Sequence, residues 1–302
     1  MKTRTNFGYL LLLIVSILGC MPVFAQEEVK AEIKQEEDNR KPERPAFEST
    51  FLIDNQTSLV PKKGTLEFIL QHRFGSMANG VTDLYGLWAP GNIRIGASYT
   101  IFDKLGIGSL KGPLSVGFGT TKNSRIQDLN WKYGILQQTK GGNIPVSVTY
   151  YGVAGMETAV PVNELPNGNA SDRFSFFHQI IIARRFSSKL SVQVAPSISH
   201  YNVVNANMKN DMISLAVGAR YKFSPQSAII LNLDQPITKM TANNPYPNIG
   251  FGIEIATSAH AFQFFASSFD AIVPQKNNMY NQNDPYGKGL RIGFNITRLW
   301  NF

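Results

Sequence analysis

From Thr65 onward, apolar and polar residues alternate in short runs broken by Gly, Asn, Pro and Asp. The last fourteen residues show the pattern most clearly. Leu290, Ile292, Phe294, Ile296, Trp300 and Phe302 fall in one register, with Arg298 the single exception. Arg291, Gly293, Asn295, Thr297 and Asn301 fall in the other. A period of two places the two sets on opposite faces of a β-strand. The same reading predicts eleven earlier segments. These are Leu66–Phe74, Asn92–Ile101, Leu105–Thr121, Ile126–Thr139, Val146–Glu157, Arg173–Phe186, Leu190–Val203, Ile213–Phe223, Ala228–Ile237, Ile249–Ser258 and Phe262–Ile272.

The connections between these segments alternate in length. Gly75–Gly91, Thr158–Asp172, Asn205–Asp211, Thr238–Pro247 and Val273–Lys288 are long, and Lys122–Arg125, which falls in the same series, is the exception. Phe102–Lys104, Lys140–Ile144, Ser187–Lys189, Ser224–Ser227 and Ala259–Ala261 are short. Long loops at one end and tight turns at the other are the signature of a membrane barrel. A soluble meander gives no reason for such sorting. The expected fold is all-β: a single antiparallel up-and-down transmembrane β-barrel of about twelve strands. The chain holds no run of eighteen apolar residues, so no spanning helix is expected. That does not count against the membrane, because a spanning strand needs only about ten alternating residues.

The final strand resembles the C-terminal signal of bacterial outer-membrane barrels, in which a terminal Phe follows alternating apolar residues and is read by the barrel-assembly machinery. Ile292, Phe294, Ile296, Trp300 and Phe302 carry that resemblance here, and Arg298 departs from it. An arginine near a membrane interface can extend its head group to water.

Ahead of the barrel, Lys2 and Arg4 precede the apolar run Tyr9–Leu18, and Val23-Phe24-Ala25 forms a cleavage site. Residues 1–25 therefore read as a secretory signal peptide, cut after Ala25. Leu18-Gly19-Cys20 offers a weaker rival, a lipoprotein box with Cys20 as the lipidated residue. Cys20 is the only cysteine, so the cut chain would have no disulfide and would rely on sheet closure for stability. Residues 26–48 are charged, contain two prolines and are expected to form a disordered periplasmic tail, leaving 49–302 as the barrel. The net charge of +8 is unevenly spread. Gln26–Glu48 carries −3 and the residues from Ser49 onward carry +9. The basic residues are scattered rather than grouped in a recognisable module, which argues against nucleic acid as a partner.

The stretches Gln71-His72-Arg73-Phe74-Gly75, Asp83-Leu84-Tyr85-Gly86-Leu87-Trp88 and Asn92-Ile93-Arg94-Ile95-Gly96 resemble a family of Gram-negative β-barrel proteins defined as a domain of unknown function. The resemblance runs from about Phe47 to the C-terminus. It implies a barrel in the outer membrane, surrounded by outer-membrane lipid, and implies no activity.

Candidate chemistry is sparse. His72, His178, His200 and His260 show no metal-ligand spacing, Ser199-His200-Tyr201-Asn202 lacks a hydrolase pattern, and no nucleophile elbow is present. The chain is read as a non-enzyme with no cofactor, metal or catalytic residue. Alternation instead points Glu67, Arg73, Arg94, Asp128, Lys132, Arg220, Lys222, Asp234, Glu254 and Arg291 into the lumen, six basic groups against four acidic. Gly96, Gly117, Gly218, Gly250, Gly252 and Gly293 share that face. Charges inside a barrel must be wet or paired. Two lumens satisfy this: a water-filled pore with a slight anion preference, and a salt-bridged interior that only fills the barrel. The corresponding functions are a passive channel or transporter for small anionic solutes, and a structural barrel that binds a partner through its loops or tail. Tyr85 and Trp88 are expected in the outer aromatic girdle, with Trp300 and Phe302 in the opposite one.

Overall fold

The computed structural model describes residues 39–108, 110–286 and 289–302. The signal peptide, Cys20 and the first part of the expected tail lie outside these residues. Twelve antiparallel strands form a closed barrel, each paired with its neighbour in sequence. They are β3 (Thr65–Ser76), β4 (Asn92–Ile107), β5 (Leu110–Thr121), β6 (Ile126–Leu136), β7 (Ser147–Glu157) and β8 (Phe174–Arg185), followed by β9 (Leu190–Tyr201), β10 (Asp211–Lys222), β11 (Ser227–Pro236), β12 (Asn248–Ala256), β13 (His260–Ser267) and β14 (Arg291–Asn301). Two further short strands, β1 (Phe51–Leu52) and β2 (Asn55–Gln56), form a separate hairpin. Closure comes from β14 against β3, with Ile296 opposite Leu70 and Trp300 opposite Leu66. The seam ends at Gly64, whose φ of 81° and whose approach to the Phe302 carbonyl leave no room for a side chain.

The alternation is realised on both faces. Ile95, Phe118, Leu129, Leu231, Phe251 and Phe264 stand outward and exposed, and Leu231 and Phe264 remain 51% and 55% accessible. On a soluble protein an apolar belt of this extent would be an aggregation surface, whereas lipid covers it in a membrane. Arg298 also points outward, and its guanidinium sits 4.8 Å from the centre of the Trp300 ring near the short-turn end. The four histidines all occupy the outward register beside aromatic neighbours: His72, His178 and His260 stack on theirs, His72 on Phe294 at 5.3 Å, and His200 is tilted against Phe176.

Three expectations change. The first tight turn is not at Phe102–Lys104. β4 bulges there and continues to Ile107, with Leu105 opposite Gly112 and Ile107 opposite Leu110. Runs of alternation do not reveal bulges, because an inserted residue shifts the register without ending the strand. The second change concerns residues 39–48, expected in the tail. This segment lies along the short-turn end: Glu43 N donates to Gln138 O at 2.7 Å, Gly141 N donates to Asn39 O at 3.0 Å, and Ala46 and Phe47 are buried. The third change is that residues 49–64 are not part of the wall. The β1–β2 hairpin lies inside the barrel, entering and leaving at the short-turn end. Phe47, Leu52 and Ile53 form an apolar cluster there with Ile230, Phe265 and Phe269 from the barrel.

The other end of the lumen is closed from the loop before β14. Its short helix α1 (Pro274–Tyr280) begins with Pro274, whose fixed φ suits a first helical position, and buries Gln275, Asn277, Asn278 and Met279. Met279 joins Tyr201, Met212 and Met240 in a second apolar cluster.

If the outward face is covered by lipid, Leu231→Arg at the middle of β11 should cost about 2–4 kcal/mol. Denaturant unfolding in lipid vesicles measures this, and a cost near zero would place that face in water.

Candidate functional site

The site is the plugged lumen, and its geometry follows from inward side chains that reach the hairpin. At the hairpin tip, Ile53 has a φ of 60°, which a β-branched residue seldom adopts. The barrel holds it there. Ile53 N donates to Gln263 Oε1 at 3.1 Å, and Ile53 O accepts from Asn295 Nδ2 at 2.6 Å and from an Arg73 guanidinium nitrogen at 3.4 Å. Arg73 is fully buried, gives a further hydrogen bond to Asn295 Oδ1 at 2.9 Å, and lies 4.6 Å from the Phe265 ring centre. Its counter-charge is Asp54 of the hairpin, at 3.7 Å.

The remaining hairpin contacts are mostly to neutral amides. Asn55 Nδ2 donates to Asn232 Oδ1 at 2.7 Å and to Asp234 Oδ1 at 2.5 Å, and Asn55 Oδ1 accepts from Gln179. Gln193 donates to Gln56 O at 2.8 Å, and Gln263 donates to Phe51 O at 2.8 Å. Glu67 accepts from Thr50 Oγ1 at 2.6 Å, while Lys132 donates to Thr50 O and Leu59 O, both at 3.2 Å. Pairs of charged residues alone would not have found these amides. The signal was present, since Gln71, Gln179, Gln193, Asn232, Gln263 and Asn295 all fall in the inward register.

Of the ten residues that alternation points inward, Glu67, Arg73, Arg94, Asp128, Lys132, Arg220, Asp234 and Glu254 are buried in the lumen. Lys222 and Arg291 are half-buried at the two opposite rims, 3.8 Å from Glu48 and 3.9 Å from Asp270. Two ion pairs belong wholly to the wall. Arg94 makes two bonds to Asp128, at 2.8 and 2.7 Å, and Arg220 bonds Glu254 at 2.7 Å. Arg73 and Asp234 differ, because their partners Asp54 and Asn55 come from the hairpin.

The inward glycines clear space for contents of the lumen rather than for a pore. A Cβ on Gly218 would lie 2.4 Å from Leu52, and one on Gly250 would lie 3.0 Å from Ile53. A Cβ on Gly119 would overlap the Arg94 guanidinium.

Hairpin and helix meet at the centre, where Asn277 Nδ2 donates to Asp54 Oδ2 at 2.6 Å. Burial pushes the Asp54 carboxyl up to about 6, against the opposing pull of Arg73 and the Asn277 hydrogen bond. Burial, aided by Glu157, raises the Tyr280 phenol to about 12, so it is neutral at physiological pH. Lys276 of α1 bonds Glu157 and Ser124, both at 2.8 Å. Among the described residues no three His, Cys, Asp or Glu side chains converge as a metal site.

The Asp54 carboxyl takes up a proton more readily when docked than when free. The docked hairpin should therefore become more stable as pH falls from neutrality through about 6, with the gain complete below the ordinary value of 3.8. Maleimide labelling of a cysteine placed in the hairpin, taken at each pH relative to the same cysteine in the denatured chain to remove the thiol's own titration, should slow over that range, and Asp54→Asn should flatten the relative dependence. In the wall, Arg94→Gln leaves Asp128 buried without its cation and should cost about 3–5 kcal/mol in unfolding, whereas the double change with Asp128→Asn should recover much of it.

Among curated proteins none matches the chain. Among solved structures, the NanC porin aligns with a TM-score of 0.46 at 8% identity, covering 78% of this chain and 99% of that one. The KdgM porin aligns at 0.45 and 7%, covering 79% and 99%. An outer membrane channel from Pseudomonas putida F1 aligns at 0.45 and 10%, covering 80% and 97%. The family described as "Membrane bound beta barrel domain (DUF5777)" matches residues 47–300, a span that takes in hairpin and barrel together, and the chain belongs to that family.

Proposed function

We propose that this protein is an outer-membrane channel for small anionic solutes, held closed by its own N-terminal hairpin. The observation that carries the reading is the charge pattern between inserted chain and wall. Glu43 lies 3.9 Å from Arg185, Glu48 lies 3.8 Å from Lys222, and Asp54 lies 3.7 Å from Arg73. Each acid comes from the segment that enters the barrel, and each cation from the wall. The wall pairs Arg94–Asp128 and Arg220–Glu254 are complete without that segment. Withdrawal of the hairpin would thus leave a sound barrel and uncover a surplus of cations, the field an anion needs. The seal is also imperfect. Asp54 Oδ1, Arg73 Nε and Gln193 Oε1 are buried without a hydrogen-bond partner, and each such group costs about 1–3 kcal/mol. Outside the apolar cluster around Leu52 and Ile53, the hairpin is held by polar contacts that carry this penalty.

The filled lumen equally fits the second reading, a non-conducting barrel that acts through its loops or N-terminal segment. A disulfide tether separates the two. A Cβ on Gly250 lies 3.7 Å from the Ile53 Cβ, within the range disulfides span. In planar bilayers, Ile53→Cys/Gly250→Cys should be silent when oxidised and should show anion-biased conductance when reduced, with Arg73→Gln weakening the bias. Silence after reduction, and in a variant lacking residues 39–57, would favour the interaction barrel.

A further inference from the structure

Loops and strand ends at the long-loop end border a second, half-open cavity of about 700 Å³ that the plugged lumen does not use. Small-molecule pockets run from about 300 to 1,000 Å³ and combine apolar walls with a few polar groups. Here Val160 and Val204 supply apolar surface, and the Tyr201 and Tyr280 rings meet edge to face at 5.1 Å. Four charged side chains border the space, and three are engaged. Lys276 pairs with Glu157 at 2.8 Å, and Asp172 accepts two bonds from Asn167. The fourth, Arg173, gives one hydrogen bond to Val160 O at 2.6 Å and has no carboxylate partner among the described residues. Arg173 is therefore the group in this cavity with unmet capacity for an anion.

Helix α1 borders this cavity through Lys276 and Tyr280. The same two residues border a smaller cavity of about 120 Å³, which Asn277 also lines. The helix thus has open space against two of its surfaces. Asn277, the residue after Lys276 on this helix, is the one that holds Asp54 at the hairpin tip. A ligand pressing on Lys276 and Tyr280 acts on the same short element that anchors the hairpin.

We infer that the larger cavity binds a small amphipathic organic anion, with its charge on Arg173 and its apolar body against Tyr201, Tyr280 and Val204, and that α1 relays occupancy to the hairpin. The relay rests on the reading of the hairpin as a displaceable plug, while the binding site stands without it. The ligand is a soluble anion rather than a lipid head group, because most of the lining comes from the loops that follow the strand ends.

The full chain in detergent micelles is titrated calorimetrically with phenyl phosphate, inorganic phosphate and dihexanoyl phosphatidate. Phenyl phosphate should bind at least about tenfold more tightly than either of the others, and Arg173→Gln should weaken it by about tenfold, with Arg173→Lys intermediate. Boiling-dependent gel migration checks that each variant still forms a barrel. Saturating phenyl phosphate should also accelerate maleimide labelling of Ile53→Cys severalfold, and Asn277→Ala should abolish that response while leaving phenyl phosphate binding in place. Equal affinity in Arg173→Gln, or tightest binding of the phosphatidate, overturns the site. Bound phenyl phosphate with unchanged labelling overturns the relay. Conductance in bilayers without any phenyl phosphate binding overturns the site and leaves the channel reading intact.

Discussion

A twelve-strand barrel encloses more space than its own inward side chains can occupy, and the rest of this structure depends on how that space is filled. Eight strands close around their own side chains, while sixteen or more leave an aqueous channel. Twelve fall between. Here the chain inserts its own hairpin from one end and a short helix from the other. The apolar cluster of Phe47, Leu52, Ile53, Ile230, Phe265 and Phe269 is consequently inside the barrel, where a pore would have water.

That choice decides the electrostatics. Arginine and lysine on the lumen wall cannot face lipid cheaply, and inside they need water or partners. The wall pairs some of them itself, as in Arg94–Asp128, and leaves Arg73 to be satisfied by Asp54 from the hairpin. Glu43, Glu48 and Asp54 of the inserted segment each offset one cation of the wall.

The polar character of the seal matters for dynamics. Most hairpin contacts run through amides of glutamine and asparagine, which exchange readily with water and contribute about 0.5–1.5 kcal/mol each. An apolar seal of the same area would fix the hairpin more firmly. The Asp54–Asn277 bond places the tip of that seal against the element that also borders the loop cavity, so the two ends of the lumen share one contact.

Alternation with period two determined the strands, their number and which residues face inward, because a strand in a membrane has one lipid face and one lumen face and no other arrangement satisfies its backbone. Sorted connection lengths gave the two ends. The same pattern marked Arg73, Arg94 and Asp234 as inward without saying what they meet there, since alternation carries no information about contacts across a lumen. The hairpin was illegible for a related reason. Residues 46–57 show no long alternating run, and their turn rests on Ile53 in a conformation its residue type disfavours, held by Gln263, Asn295 and Arg73, each more than ten residues away in sequence. Alternation placed Gly218 and Gly250 on the inward face, and the tertiary structure fills the space they leave with Leu52 and Ile53. Local pattern sets the wall of a barrel, and what occupies its interior is decided by contacts that only the closed sheet brings together.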